Sequence, residues 1–485
     1  MTSLRRLVLD AYPDYPSAEK LPDTPLSGIE CDSRKVEPGF LFIAVRGAKL
    51  DGASFAQEAA RRGAAAVIGE TKPDADLPYI HVDDSREAAA RLAAAFYGRP
   101  AKKLQIAGIT GTNGKTTTSY LVEYLLAKNG EKTGVIGTVS YRYAGIEQPA
   151  VETTPGPLAL QKMFSEMGEA GCTKTVMEVS SHALDQGRAA GIDFAAAVFT
   201  NLTQDHLDYH GTMENYFASK SKLFSGLSSD ATAVLNRDDA RFEKLTCLTR
   251  AKVVSYGIEK DADFRARNLT QEGASTGFEL ELRGKTLAVK LPLIGRHNVY
   301  NALAALACCE AMGLPAEKGA GLLAEFPGVP GRLEAVRCGQ DFTVLVDFAH
   351  TPDGLENVLR ALSEHRTSRL LLVFGCGGDR DRAKRPKMAD IASRWADHIY
   401  ITSDNPRSED PKAIAEEVCA GFPPGFRGKS IVLDRRKAIR QALLSARSGD
   451  IVLLAGKGHE RAQIVGARTL PFSDREEAER VLHGH

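Results

Sequence analysis

Cysteine is scarce and scattered in this sequence. The eight cysteines include no C-x-x-C pair, and only Cys308 and Cys309 are adjacent. Structural zinc sites usually have paired, closely spaced cysteines, and disulfide-stapled domains are small and dense in cysteine, so the sequence supports neither class. The pattern is typical of a reducing compartment, and we expect a cytoplasmic protein.

Long apolar runs and an excess of either charge are also missing. No run reaches the length of a membrane span, and the N-terminal segment lacks the apolar core of a signal peptide. The 62 basic residues balance the 62 acidic ones, which argues against a protein that mainly binds nucleic acid or a membrane surface. Because 485 residues exceed what one hydrophobic core usually serves, we expect a soluble protein of two or three domains.

Two points rich in glycine and proline divide the chain, at 98–100 and at 327–331. They predict three domains, over residues 1–100, 101–329 and 330–485. Apolar strands alternate with helical segments, which predicts an α/β fold. We expect a small N-terminal α/β domain, a central domain with a mainly parallel sheet like that of P-loop ATPases, and a C-terminal domain with a Rossmann-like sheet.

Short apolar runs bounded by polar residues predict the strands. They cover 39–45, 64–68, 79–82, 104–109, 175–179, 194–200, 231–235, 343–346, 370–374, 398–402 and 451–454. An alanine-rich helix is predicted at 85–97 and an amphipathic, lysine-bearing helix at 216–224. In such sheets ligands bind beyond the carboxyl ends of the strands, so polar residues at those ends are the candidate site.

The most informative segment is the glycine loop at 108–118, which reads GITGTNGKTTT. It follows a predicted strand and precedes a helical pattern, as in a triphosphate site. Lys115 would neutralise phosphate charge and the Thr116 hydroxyl could ligate magnesium. The loop is irregular, because the G-x-x-x-x-G-K-[ST] pattern requires glycine where Ile109 stands. The alternative is an ordinary strand-to-helix turn.

Two further strands end in residues with metal-binding chemistry. Glu178 ends one of them and could hold magnesium opposite Thr116, or else be a helix-capping or solvated glutamate. The loop at 200–211 follows the next strand and holds two aspartates and two histidines. His206 could ligate a second metal, although Asp205 and Asp208 could instead cap a helix and His210 could be a packed turn histidine. By pattern alone, Lys220 in the helix at 216–224 is a surface lysine.

Four motifs in this order resemble the Mur ligase family: GTNGKT at 111–116, EVSSH at 178–182, NLTQDHLD at 201–208, and GRHN with Asn301 at 295–301. These are ATP-dependent amino-acid ligases that build the peptide of bacterial peptidoglycan, and the resemblance covers nearly the whole chain. It implies a catalytic set of Lys115, Glu178, His206 and Lys220. It also implies binding of ATP and Mg²⁺. The ATP-binding residues would be Gly111, Thr112, Asn113, Gly114, Lys115, Thr116, Thr117, Asn298, Asn301, Arg332 and Asp347.

The resemblance changes the interpretation of Lys220. In the family the matching lysine reacts with carbon dioxide to form a carbamate, which turns a cation into a metal ligand. The implied metal ligands are Thr116, Glu178, His206 and the carbamate of Lys220.

The sequence DNPR at 404–407 resembles the signature of family members that add meso-diaminopimelate to UDP-N-acetylmuramoyl-L-alanyl-D-glutamate. By pattern alone it is an Asn-Pro turn followed by a surface arginine. The resemblance implies that the amino acid contacts Arg380, Asp404, Asn405, Pro406, Arg407, Gly456 and Glu460. It implies that the UDP-muramoyl dipeptide contacts Ser33, Thr153, Thr154, Ser181 and Arg188. We expect a monomer with no nucleic-acid or membrane partner.

Two alternatives stay open at this stage. One is another ligase of the same type, either a lysine-adding enzyme, which would lack the arginine of DNPR, or a folylpolyglutamate synthetase, which would lack the uridine-side segment around Ser33. The other is a nucleotide-driven switch or motor, which would hydrolyse ATP without any amino acid.

Overall fold

A computed structural model describes residues 2–16, 18–47, 50–272, 275–364, 366 and 368–484 of the chain. The strands form three main sheets, of four, eleven and six strands, that follow one another along the chain. None of the described helices is long and apolar enough to cross a membrane.

The first sheet has four parallel strands in the order β3-β4-β5-β6, beside a separate two-stranded pair, β1-β2. Helices α1 and α3 pack together over it, because the apolar side of each faces the buried strand residues. The strands are β1 (Thr2–Ser3), β2 (Pro25–Leu26), β3 (Gly28–Glu30), β4 (Phe40–Ala44), β5 (Ala66–Gly69) and β6 (Tyr79–His81). The helices are α1 (Leu4–Ala11), α2 (Ala56–Arg61) and α3 (Ser85–Phe96).

The central sheet has eleven strands in the order β10-β9-β8-β11-β7-β12-β13-β14-β15-β16-β17. Neighbours from β8 to β15 are parallel, and antiparallel hairpins extend both edges. The strands are β7 (Gln105–Thr110), β8 (Thr133–Ile136), β9 (Ser140–Tyr143), β10 (Ile146–Pro149), β11 (Lys174–Glu178), β12 (Phe194–Phe199), β13 (Thr232–Asn236), β14 (Lys252–Gly257), β15 (Phe264–Glu272), β16 (Ser275–Leu282) and β17 (Lys285–Leu291). The helices are α4 (Lys115–Lys128), α5 (Pro157–Glu169), α6 (Ser181–Asp185), α7 (Leu207–His210), α8 (Met213–Ser225), α9 (Phe242–Leu248), α10 (Arg296–Ala311) and α11 (Ala316–Leu322).

Apolar cores cover both faces of this sheet. Helices α4 and α10 contribute to one core, and α5, α8 and α9 contribute to the other. Strands buried on both faces carry consecutive apolar residues, which is why the middle of β7 and the whole of β12 stand out in the sequence. In register, Glu178 pairs with Ile109 and Phe199 pairs with Thr110. The loops that follow β7, β11 and β12 therefore leave the sheet at one edge.

The third sheet has the order β18-β19-β23-β20-β21-β22 and is parallel except for β18. The strands are β18 (Glu334–Val336), β19 (Thr343–Asp347), β20 (Leu370–Phe374), β21 (His398–Ile401), β22 (Lys429–Ile431) and β23 (Ile451–Ala455), followed by a hairpin of β24 (Ala462–Val465) and β25 (Arg468–Pro471). The helices are α12 (Pro352–Ser363), α13 (Lys384–Trp395), α14 (Pro411–Cys419), α15 (Arg435–Ser445) and α16 (Asp474–Leu482).

The structure confirms the α/β class and the mainly parallel central sheet. The predicted strands differ from the observed ones by at most two residues at either end, and the helix predicted at 216–224 lies inside α8. Sequence analysis missed the antiparallel hairpins at both edges of the central sheet. β10 is exposed throughout and has no apolar run, whereas β16 shows the alternating pattern of a half-buried strand, a signal that the search for apolar runs passes over.

Candidate active site

A cavity of about 960 Å³ lies between the central sheet and the C-terminal sheet. Loops that follow β7, β8, β11 and β12 line one side, and loops that follow β19, β20, β21 and β23 line the other. Both sheets thus present the carboxyl ends of their parallel strands to one space, where α/β folds bind ligands.

The glycine loop is held in place by the loop after β12. The Asn201 carbonyl accepts a hydrogen bond from the Thr112 amide at 2.9 Å, and the Asn201 side-chain oxygen accepts one from the Asn113 amide at 3.0 Å. Helix α4 begins at Lys115 without a side-chain cap, so amides of its first turn are available to phosphate oxygens. The Lys115 ammonium donates to the carbonyls of Gly111 and Thr112 at 2.8 and 2.9 Å.

Thr116 and Glu178 form an oxygen pair at the base of the loop. The Thr116 hydroxyl donates to the Glu178 carboxylate at 3.0 Å, and the Thr138 hydroxyl and amide donate to the same carboxylate at 2.8 and 2.9 Å. Glu178 is fully buried, so the solvated alternative is wrong. The following helix α6 is capped by Ser180, so the capping alternative is wrong as well. A carboxylate beside a hydroxyl fits magnesium, which prefers hard oxygen ligands.

Lys220 is buried beneath the loop. Its ammonium donates to the Gly111 carbonyl at 2.8 Å and lies 4.5 Å from the Tyr216 ring centroid. Only 1% of the residue is exposed, so the surface interpretation is wrong. Burial, followed by the charge of Lys115, lowers the pKa of Lys220 well below its usual value. A buried amine with a lowered pKa is more readily neutral, and the neutral amine is the form that reacts with carbon dioxide.

His206 faces the cavity together with Asp205. Its ring nitrogen lies 3.4 Å from the Asp205 carboxylate, and burial lowers the pKa of the imidazole. Helix α7 has His206 at its N-cap and no side-chain cap, so neither Asp205 nor Asp208 caps it. His210 is buried and contacts the Ser181 hydroxyl at 3.0 Å, which matches a packed histidine.

Residues of α10 and the C-terminal sheet approach the glycine loop from the other side. Arg332 donates to the Thr116 hydroxyl at 3.1 Å. Asp347 accepts amides of Leu333 and Ala349 at 2.7 Å each, and burial raises the pKa of its carboxyl. Asn301 donates to the side-chain oxygen of Asn298 at 3.0 Å. The same cavity is therefore lined by all four of the residues expected to contact nucleotide outside the glycine loop: Asn298, Asn301, Arg332 and Asp347.

A group of charged side chains lies at the C-terminal end of the cavity. The buried Lys457 ammonium contacts Glu460 at 2.7 Å and the Asn405 side-chain oxygen at 3.1 Å, and the Asn405 amide donates to Glu460 at 3.0 Å. Arg407 donates to the Gly378 carbonyl at 2.8 Å. Burial, followed by the charge of nearby Arg380, lowers the pKa of Arg407.

Arg407 has no carboxylate of the described residues within ion-pair distance, and it is half-buried rather than a fully exposed surface arginine. Asp404, Gly456 and Arg380 also line the cavity, whereas Pro406 does not. Opposite charges in one pocket suit an amino acid that carries both signs of charge.

Only some of the residues expected to bind the UDP-muramoyl dipeptide line the cavity. Thr153 and Ser181 line the cavity. Thr154 is buried and donates to the Glu178 carbonyl at 2.8 Å, while Arg188 donates to the Thr154 carbonyl at 2.8 Å. Ser33 lies outside the cavity in the N-terminal unit, where its hydroxyl donates to Glu58 at 2.6 Å.

Sequence analysis missed Thr138 and Asp353, and it named Asn201 only as part of a family motif. Thr138 fixes the Glu178 carboxylate, and Asn201 fixes the glycine loop. Asp353 accepts a hydrogen bond from the Asn113 side chain at 2.7 Å across the cavity. Thr138 follows β8 and Asp353 lies in the first turn of α12, and neither element is among the predicted ones. Many structural residues share such positions.

Family models match this chain in three consecutive segments. The Mur ligase family catalytic domain matches residues 25–97, the Mur ligase middle domain matches 109–309, and the Mur ligase glutamate ligase domain matches 331–458. The chain belongs to the Mur ligase family.

Relatives with a more specific name match nearly the full length. The UDP-N-acetylmuramoyl-L-alanyl-D-glutamate–2,6-diaminopimelate ligase of Listeria monocytogenes is 48% identical over 460 residues, covering 93% of each protein. The ligase of that name from Geobacillus kaustophilus is 47% identical over 453 residues, covering 92% of this chain and 93% of the relative.

Solved structures show the same architecture. A structure of a UDP-N-acetylmuramoyl-L-alanyl-D-glutamate–2,6-diaminopimelate ligase has a TM-score of 0.71 at 34% identity, covering 100% of this chain and 99% of that one. The MurF ligase of Thermotoga maritima in complex with ADP has a TM-score of 0.65 at 22% identity, covering 95% and 98%. The latter likeness concerns the fold alone.

Proposed function

We propose that this protein is an ATP-dependent ligase that adds meso-diaminopimelate to the D-glutamate of UDP-N-acetylmuramoyl-L-alanyl-D-glutamate, in peptidoglycan precursor synthesis. The observation that carries the proposal is that one cavity joins the glycine loop, the Thr116–Glu178 pair and the pocket around Arg407 and Glu460. The relatives described above, at 47–48% identity, have the same name throughout.

The reaction has two steps. A carboxylate oxygen of the dipeptide attacks the γ-phosphorus of ATP, the bond from that phosphorus to the β–γ bridging oxygen breaks, and ADP leaves. The amine of the amino acid then attacks the acyl carbon and loses a proton, while the bond from carbon to phosphate oxygen breaks. Lys115 and Arg332 offset the negative charge of the transferring group, and the walls of the cavity limit access of water to the acyl phosphate.

Thr116 and Glu178 would hold one Mg²⁺, and His206 with the carbamate of Lys220 would hold a second. Bound Mg²⁺ would offset charge that builds up on the phosphate oxygens. The buried position of Lys220 and the oxygen pair at Thr116 support this assignment.

Arg407 would select the amino acid. A guanidinium without a protein carboxylate partner can form a bidentate pair with the distal carboxylate of diaminopimelate. Lysine has no such carboxylate, so it would leave Arg407 unpaired. Glu460, held by Lys457 and Asn405, would face the ammonium at that end.

We assign the UDP group to residues 1–100, ATP to 101–329 and the amino acid to 330–485. The eight cysteines are free thiols in the structure, which supports a cytoplasmic location. We expect the enzyme to act as a monomer.

The proposal is tested by a ligation assay on the full chain with the UDP-muramoyl dipeptide, ATP and a panel of amino acids. We expect phosphate release only when both the dipeptide and meso-diaminopimelate are present. Replacement R407A should weaken the apparent affinity for diaminopimelate about 10- to 100-fold, since charge-assisted hydrogen bonds contribute about 1.5–3 kcal/mol.

Two results would contradict the proposal in different ways. Equal turnover with lysine would exclude the role of Arg407 and favour a lysine-adding enzyme. Phosphate release without any amino acid would favour a nucleotide-driven switch. The exposed Arg475 provides the control variant R475A, whose kinetics should match those of the wild type.

A further inference from the structure

Lys384 is a buried cation that the proposed mechanism does not use. It is the first residue of α13, is 6% exposed and lines the cavity. Among the described residues, none accepts a hydrogen bond from its ammonium or lies within ion-pair distance of it. A cation that lines a cavity and has no protein partner among the described residues is suited to an anionic ligand.

Neighbouring cations on the same helix have partners. Arg385 is fully buried and forms ion pairs with Glu409 at 2.8 Å and Glu417 at 2.7 Å. Lys387 is exposed and donates to the side chain of Gln204. The absence of a protein partner at Lys384 is therefore a property of that position and not of the helix.

The surroundings of Lys384 connect it to the phosphate side of the cavity. Burial, followed by the charge of Lys384, lowers the pKa of His350 to about 4. Across the cavity, Asp205 lies near enough to Lys384 for the charges of the two side chains to interact. Asp205 precedes His206 in the loop that adjoins the glycine loop.

The start of α13 adds to the attraction for an anion. The helix has twelve residues, and the partial positive charge of its N-terminus lies at Lys384 itself. Lys115 approaches the cavity from the central unit, whereas Lys384 approaches from the C-terminal unit. An anion between the two units would contact cations from both.

We propose that Lys384 is a catalytic residue that binds the phosphoryl oxygens of the acyl phosphate and of the departing phosphate. The inference rests on the proposed ligase function. In the second step the bond from the acyl carbon to the phosphate oxygen breaks, and the electron pair stays on phosphate as the amide forms. The ammonium of Lys384 stabilises that developing charge.

The test compares K384M, K384R and K412M in the full chain. Lys412 is an exposed lysine in the first turn of α14, which makes K412M a matched control for loss of one charge. We expect K384M to lower kcat about 100-fold, the size of effect seen when one donor to a developing oxyanion is removed. The kcat of K384R should be at least about tenfold higher than that of K384M. The kcat of K412M should match that of the wild type.

The α-carboxylate of the incoming amino acid is the other anion that Lys384 could contact, and inorganic phosphate is the probe that separates the two. If Lys384 binds phosphoryl oxygens, product inhibition by phosphate weakens about tenfold in K384M while KM for diaminopimelate is unchanged. An increase in that KM with unchanged kcat and phosphate inhibition would overturn the proposal, as would wild-type kinetics of K384M.

Melting temperature and ADP affinity report whether the variants fold. If K384M unfolds, the same kinetics on K384Q decide between the outcomes. A wild-type enzyme that ligates no amino acid would refute the proposed function, whereas an active wild type with an equally active K384M would refute only the role of Lys384.

Discussion

At the scale of single residues, Lys220 shows how far burial changes chemistry. A lysine in an amphipathic helix is usually solvated, yet Lys220 is 1% exposed and its ammonium is 2.8 Å from the Gly111 carbonyl. Because burial disfavours the charged form, it favours the neutral amine that carbon dioxide can modify. The sequence pattern does not distinguish this lysine from Lys222, which is exposed enough to pair with Asp185.

Replacement K220A should reduce ligation at least about 100-fold, because the proposed carbamate supplies a metal-binding oxygen at this position. Short carboxylates such as acetate should partly restore kcat, since they supply an equivalent oxygen. Steady-state phosphate release measures both effects, and K222A on the same helix is the control. Failure of every short carboxylate to rescue K220A would count against the carbamate.

At the scale of an element, the irregular glycine loop is explained by its contact with the loop after β12. Gly111 has a φ of +145°, and a Cβ there would lie 1.8 Å from the Thr200 hydroxyl oxygen. Only glycine permits this conformation and this approach. The glycine missing at Ile109 is therefore not needed, because Ile109 is a buried strand residue and the turn begins two residues later.

Replacement G111A should raise KM for ATP by about 10-fold or more, because the clash must displace the loop whose amides face phosphate. The matched control is G130A. Gly130 also has a positive φ, of +89°, but a Cβ added there would meet no neighbouring side chain or backbone of the described residues within 4 Å. If G111A and G130A have the same melting temperature and the same KM for ATP, the loop tolerates a Cβ at position 111.

At the scale of the whole molecule, side chains on both sides of the cavity hold the central and C-terminal units together. Asn113 donates to Asp353 at 2.7 Å, and Arg332 donates to the Thr116 hydroxyl at 3.1 Å. Both contacts begin at the glycine loop. We therefore expect binding of nucleotide at the loop to be coupled to the position of the C-terminal unit.

Replacement D353A should lower kcat/KM for ATP by about 10- to 100-fold, since it removes a hydrogen bond to a charged group. It should also enlarge the radius of gyration of the ADP complex, which small-angle X-ray scattering measures. D390A, at an exposed aspartate of α13, is the control. Equal behaviour of the two variants would show that the contact with Asn113 does not hold the units together.

Most of the parallel strands and the polar residues at their carboxyl ends were accessible from sequence, because a strand buried on both faces carries a run of apolar residues. The same reasoning predicted Glu178 and His206 as site residues. It could not predict Thr138, Asp353 or Lys384. A threonine after a strand, or an aspartate or a lysine at the start of a helix, is most often structural or solvated.

By itself, the sequence determined the α/β class, the glycine loop and the resemblance to the Mur ligases, because those depend on local periodicity and on motifs within short segments. Only the tertiary structure decided that Lys220 is buried, that Asn113 meets Asp353, and that Lys384 faces the cavity without a partner among the described residues. Those properties depend on contacts between residues far apart in the chain, where burial and neighbouring charge are set by packing.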